Sequence, residues 1–124
     1  MLLDSYAWVE FFEGSEKGKK VAEILKKNKC FTSIVSISEI INWTLKNNED
    51  FEDRVKRIES LSKILNLNRD IVITAGKINF QHKKLIKNWG MLDSLIYSTA
   101  LYYNLNVLTG DNHFKNLENV EMLR

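Results

Sequence analysis

Proline is absent from this 124-residue chain, and cysteine (one), histidine (two) and glycine (five) are scarce. With no proline, no low-complexity tract and no repeat, the sequence shows no linker or boundary. Residues 1–124 are therefore expected to form a single domain around one hydrophobic core. A lone cysteine, Cys30, excludes an internal disulfide, and its neighbour Phe31 suggests a buried, reduced thiol. Cys30 has no partner at zinc-site spacing, and His82 and His113 are the only histidines, so zinc is not expected. No stretch approaches the roughly 18 apolar residues that span a bilayer. Asp4 and Glu10 interrupt the first apolar stretch and no basic region precedes it, so a secretory signal is not expected and a cytoplasmic location is. A strong charge of one sign is also missing: 18 basic and 16 acidic residues leave a net +2.

What is present is ordinary for a globular protein, 44% hydrophobic and 27% charged. The cations gather in three places: Lys17 to Lys29, Arg54 to Arg57, and Lys83 to Lys87. Such groups are either solvated helix faces or phosphate contacts around an acidic centre.

Apolar periodicity predicts alternating strands and helices. Met1 to Leu3 reads as a short strand, Ser5 to Phe12 as a helix ended at Gly14-Ser15, and Glu16 to Asn28 as a helix with Val21, Ile24 and Leu25 inward. Cys30 to Val35 reads as a strand. Ser36 then looks like an N-cap with Glu39 three residues on, the pattern of a capping box, and its helix runs to about Lys46. After the break at Asn47-Asn48, a charged helix covers Phe51 to Lys63 and a strand Ile64 to Leu67. A helix starting at Asn68 or Asp70 reaches about Lys87. Beyond Gly90 come a helix from Leu92 to Asn104, a strand from Asn106 to Thr109, one helical turn from Asn112 to Asn116 and an edge strand from Val120 to Leu123. Strands joined through helices need parallel pairing with right-handed crossovers. The expected architecture is an α/β fold, a three-layer α/β/α sandwich around a mainly parallel sheet.

Four carboxylates stand out against this pattern: Asp4, Glu39, Asp93 and Asp111. Asp4 and Asp111 each follow a short apolar strand, while Glu39 and Asp93 lie early in otherwise apolar helices. Such sheets bind ligands beyond the carboxyl ends of their strands, where strand order reverses. All four residues can reach that edge if the first and fourth strands are neighbours. Singly, each has a plain structural role as a helix cap, a capping-box partner or an Asx-turn. Together, buried carboxylates repel one another, and a divalent cation relieves the repulsion. All-oxygen ligation favours magnesium or manganese, whose bound water and charge suit attack on a phosphodiester. His113 is expected at most at the rim of this pocket and His82 on the surface.

The motifs Leu3-Asp4-Ser5, Ser38-Glu39-Ile40, Leu92-Asp93-Ser94-Leu95-Ile96 and Leu108-Thr109-Gly110-Asp111-Asn112-His113-Phe114 resemble, in order and spacing, those of the PIN-domain nucleases. The likeness is greatest to their single-domain toxin branch, usually called VapC. The resemblance implies a magnesium- or manganese-dependent endoribonuclease, a homodimer, and a cognate antitoxin that covers the acidic site. Residue by residue it implies Asp4, Glu39, Asp93 and Asp111 as catalytic acids. Asp4 and Asp93 would be the principal metal ligands, Asp111 would complete the shell, and Glu39 would act through water or accept a proton. Ser5 and Thr109 would support the first and last aspartates. Asn112 and His113 stand where some members carry a further acid, so one firmly held metal is expected, with Asn112 in support.

Within the same chemistry the alternative is a housekeeping nuclease in RNA processing. A receiver-like phosphohydrolase would want an acidic neighbour to Asp4 and a lysine before Gly110, and both are missing. A binding module without activity would lack one of the four acids, and none is missing. The aromatics Trp8, Phe11, Phe12, Trp43 and Trp89 either fill the core or mark a partner surface.

Overall fold

Leu2 and Leu3 are fully exposed to no solvent at all, yet they make up an entire strand. In the computed structural model, which describes all 124 residues, this strand (β1, Leu2–Leu3) is the middle of a five-stranded sheet. Along the chain follow α1 (Ser5–Glu13), α2 (Glu16–Lys27), β2 (Phe31–Ser33), α3 (Ile34–Lys46), α4 (Phe51–Leu61) and β3 (Lys63–Leu65). The second half contains α5 (Arg69–His82), α6 (Met91–Tyr102), β4 (Val107–Thr109), a 3-10 turn (Asn112–Phe114) and β5 (Val120–Met122). Sheet order is β3-β2-β1-β4-β5 and every pairing is parallel. Strand order therefore reverses between β1 and β4, whose registers pair Leu2 with Val107 and Leu3 with Leu108.

Successive strand residues face opposite sides of a sheet, and each of these two pairs joins a separate core. Leu2 and Val107 pack with Ile78 of α5 and Ile96, Tyr97 and Ala100 of α6. Leu3 and Leu108 pack with Ala7 and Trp8 of α1, Val21 of α2, Ile40 of α3 and Ile58 of α4. The three-layer α/β/α sandwich is thus two cores on one central sheet. No helix is long and apolar enough to cross a membrane.

Local chemistry accounts for most element ends. Asp4, Ser15, Asp50 and Asn68 cap α1, α2, α4 and α5 through side-chain oxygens. In a chain so short of glycine, asparagine takes the left-handed positions: Asn48, Asn88, Asn104, Asn116 and Asn119 all have positive φ.

Two expectations change. The strand expected over Cys30 to Val35 stops at Ser33, whose hydroxyl accepts from the Val35 N–H at 3.2 Å and caps α3. Ser36 is thereby fully buried inside the helix, with no protein partner for its hydroxyl, and it forms no capping box with Glu39. Ile34 and Val35 are β-branched, which favours strand, but the cap and the packing of α3 override that preference. At the other end, α5 finishes at His82 rather than Lys87. Lys83 to Asn88 form turns that bring Trp89 into the core, where its indole N–H donates to Ser94 at 2.7 Å. Of the two readings open for the aromatics, core is the one found for Trp8 and Trp89, which are buried, while Phe11, Phe12 and Trp43 are partly buried.

Candidate active site

The switch point between β1 and β4 is where the acidic side chains meet. Asp4 leaves β1 and enters α1 in one step. Its N–H donates to the Leu108 carbonyl at 3.3 Å, and its carboxylate accepts from the Ala7 N–H at 3.0 Å. The residue is 4% exposed, and the hydroxyl of Thr109, the last residue of β4, acts on its carboxylate against the effect of burial. Thr109 accepts from the Asp111 N–H at 2.9 Å, which fixes the start of the Asp111 turn at the end of β4.

Asp111 closes the turn after β4 by accepting from the His113 N–H at 2.9 Å. Asp93 stands in the first turn of α6 and accepts from the Gly90 N–H at 3.0 Å. Both are therefore the cap and Asx-turn that local chemistry suggests. Each spends only one oxygen on that duty, which leaves Oδ1 of Asp93 and Oδ2 of Asp111 without a protein hydrogen bond.

His113 is the residue that sequence reasoning undervalued. Its Nδ1 lies 3.2 Å from Asp93 Oδ2 and 3.6 Å from Asp111 Oδ1. The ligand atoms of Asp93, Asp111 and His113 all fall within 4.8 Å of one another. The signal was the 3-10 turn, which folds the residue two places after Asp111 back over the strand end. Asp4 is outside that tight trio, although it feels the charge of Asp111, and Glu39 feels the charges of Asp93 and Asp111. Ser5 donates to Glu39 Oε1 at 3.0 Å, so it orients the glutamate rather than the first aspartate. Asn112 is exposed in the turn and faces the adjoining cleft.

Electrostatics separates this cluster from a set of ordinary caps. Burial pushes the Asp4 carboxyl up to about 7, against the opposing hydrogen bonds from Thr109 and Ala7, and the charges of Asp111 and Glu39 add to the rise. Glu39 is raised by burial, despite the Ser5 hydroxyl, and by the charges of Asp93 and Asp111. Asp93 is raised by burial and by Asp111, while the Gly90 N–H and His113 pull the other way. No lysine or arginine pairs with any of the four; the one partner is His113. Oxygen donors that repel, with an imidazole nitrogen among them and no lysine or arginine paired to them, are a donor set that fits a divalent metal.

Beside the cluster lies an open cleft of about 930 Å³, lined among others by Asp111, His113, Tyr6, Lys17, Lys115 and Arg124. Tyr6 packs so closely on the backbone here that a Cβ at Gly110 would sit 2.2 Å from its ring.

Residues 1–120 match the profile of the PIN domain family. A search of curated proteins gave no match. Several solved structures share the fold. A chain of a toxin–antitoxin complex from Klebsiella pneumoniae is 20% identical with a TM-score of 0.82, over 99% of this chain and 97% of that one. A chain of a VapBC complex from Rickettsia felis, bound to a DNA fragment from its promoter, is 20% identical with a TM-score of 0.78, over 99% and 98%. A VapC toxin from Mycobacterium tuberculosis described as cleaving the sarcin-ricin loop is 15% identical with a TM-score of 0.73, again over 99% and 98%.

Proposed function

Because the chain belongs to the PIN-domain family, we propose that it is a metal-dependent endoribonuclease, the toxin of a toxin–antitoxin pair. The observation that carries the chemistry is the meeting of Asp93, Asp111 and His113 beside two further raised carboxylates, Asp4 and Glu39, with no lysine or arginine to neutralise them. The toxin role draws its support from the likeness to chains of toxin–antitoxin complexes and to a toxin described as cleaving the sarcin-ricin loop. A partner antitoxin, a homodimer and a cytoplasmic site of action belong to the same reading, with residues 1–124 as one nuclease domain.

Asp93 and Asp111 would hold Mg2+ or Mn2+, with His113 or Asp4 completing the set. Bound there, the ion would supply positive charge to the scissile phosphate and a water of lowered pKa. The protein's own residues do the rest. The Gly90 N–H fixes Asp93, and the His113 N–H fixes Asp111, so neither carboxylate has to reorganise when substrate arrives. The Thr109 hydroxyl fixes the start of the Asp111 turn at the strand end and acts on the Asp4 carboxylate. Glu39, held by Ser5 and raised by burial, is placed to accept the proton of the attacking water.

The test is a Mn2+ titration of the purified chain beside Asp93→Asn, with a structured RNA as substrate and calorimetry to follow the ion. Loss of a principal ligand should lower both Mn2+ affinity and cleavage by about 100-fold. Equal cleavage by the two proteins would overturn the enzymatic reading. Growth arrest on expression, relieved by a co-expressed partner, separates a toxin from a housekeeping nuclease.

A further inference from the structure

An acidic centre repels the polyanion it is meant to cut, so attraction has to come from cations placed next to it. The chain's cations sort themselves by what surrounds them. Lys19 pairs with Glu16, and Lys26 and Lys27 pair with Glu23. Arg54 pairs with Glu49 and stacks on Trp43 with 4.5 Å between guanidinium and ring. Lys84 lies over the ring of Phe80. Lys26 and Arg57 border a small apolar groove on α1, α2 and α4, away from the acids. Lys17, Lys115 and Arg124 line the same cleft as Asp111 and His113, and none of the three has a carboxylate partner within 4 Å.

We propose that this cleft seats the RNA strand next to the scissile bond, with Lys17 and Lys115 binding its backbone phosphates and Tyr6 as the strut that fixes Lys17. The proposal rests on the nuclease reading above and names the side from which the substrate is held. Lys17 donates to the Tyr6 hydroxyl at 3.0 Å and lies 5.4 Å from the ring centre. An ammonium has three donors, so two remain for phosphate oxygens. The Tyr6 ring packs directly on the backbone of Gly110, one residue before Asp111. A single contact chain thus runs from the acid at the reacting centre, through Gly110 and Tyr6, to the ammonium. Tyr6 is not free to stack on a base on its Gly110 side. It acts through Lys17 and is a positioning residue.

The experiment measures binding and cleavage separately. A fluorescent single-stranded RNA oligonucleotide is titrated by anisotropy across a salt series with EDTA present, using the wild type, Lys17→Ala, Lys115→Ala, Tyr6→Phe, and Lys26→Ala as control. Each cleft lysine removed should weaken binding roughly three- to tenfold and flatten the slope of log K against log salt by about 0.7. Lys17→Arg should restore most of the loss, Tyr6→Phe should lose part of it, and Lys26→Ala should match the wild type. In cleavage assays with Mn2+ the cleft variants should raise KM and leave kcat in place. Wild-type affinity and slope in both lysine variants would overturn the proposal even if the protein cuts RNA. Lysine-dependent binding by a protein that does not cut would sustain the strand seat and remove the nuclease reading instead.

Discussion

Asp4 shows how a single side chain can be both a structural necessity and a cost. Its carboxylate caps α1, yet it is 4% exposed with two other acids acting on it, and its proton is held up to about 7 against an ordinary 3.8. The sign of the consequence follows from proton binding. Between those two values the folded chain binds more protons than the unfolded one, so stability falls as pH rises through that window. At about 1.4 kcal/mol per pH unit, the interval sets a ceiling of about 4 kcal/mol for this group. Glu39 and Asp93, also raised, push in the same direction. In EDTA the melting temperature should therefore drop between about pH 4 and pH 7. Asp4→Asn should flatten that slope and leave the protein more stable than the wild type at pH 7.5, and Mn2+ should raise the wild-type melting temperature more at pH 7.5 than at pH 5. A wild-type melting curve that does not move with pH would show that the carboxyl is not held in this way. The four acids were legible in the sequence because each follows an apolar strand or opens an apolar helix. His113 was legible only as a rim residue: the sequence shows a helical turn after Asp111, but not that the turn brings the ring within reach of both Asp93 and Asp111.

Two helical glycines put the packing of elements to the test in opposite directions. Gly18, in the first turns of α2, is buried against α1, and a Cβ there would meet the Glu10 carbonyl oxygen at 2.0 Å. Backbone cannot yield as a flexible side chain would, so Gly18→Ala should force α1 and α2 apart and cost about 3 kcal/mol or more. Gly76 in α5 has nothing within 4 Å of the same added atom. Gly76→Ala should stabilise by about 0.5–1 kcal/mol, from helix propensity and a less flexible unfolded chain. Chemical denaturation of the two variants reads both signs at once, and equal effects would refute the packing assigned to Gly18. Element order was legible from periodicity because β1, β4 and α2 each bury one clear set of apolar residues. Boundaries were less so. Ile34 and Val35 carry strand preference but begin α3, because the Ser33 hydroxyl is already committed to its cap. Lys83 to Asn88 continue a helix-like composition, but Trp89 is drawn into the core and the chain must turn to deliver it. Propensity is local, and both decisions are made by contacts far along the chain.

At the scale of the whole molecule, the sheet explains why so few positions define a site. Parallel strands put all their carboxyl ends on one edge, and the reversal between β1 and β4 opens a gap there that neighbouring helices do not fill. The same architecture leaves apolar surface elsewhere. Eleven large apolar side chains are exposed, and nine of them fall between Val72 and Tyr103, on α5, α6 and their connection. The face built by α1 to α4 contributes only Ile34 and Leu45. The aromatic-rich first half is thus mostly core, and the surface that would support a homodimer is on the opposite face of the sheet. A stable interface takes about 800 Å² from each partner, about a ninth of the 7214 Å² surface of this chain. Light scattering on a sizing column should give a dimer at micromolar concentration. Phe80→Glu combined with Leu101→Glu should give a monomer that melts within a few degrees of the wild type, because both side chains are already in solvent in the single chain. Leu45→Glu, at an exposed position on α3, should leave the dimer intact. A monomeric wild type would remove the dimer from the functional reading. A dimer broken by Leu45→Glu and not by the paired change would move its interface to the α1–α4 face.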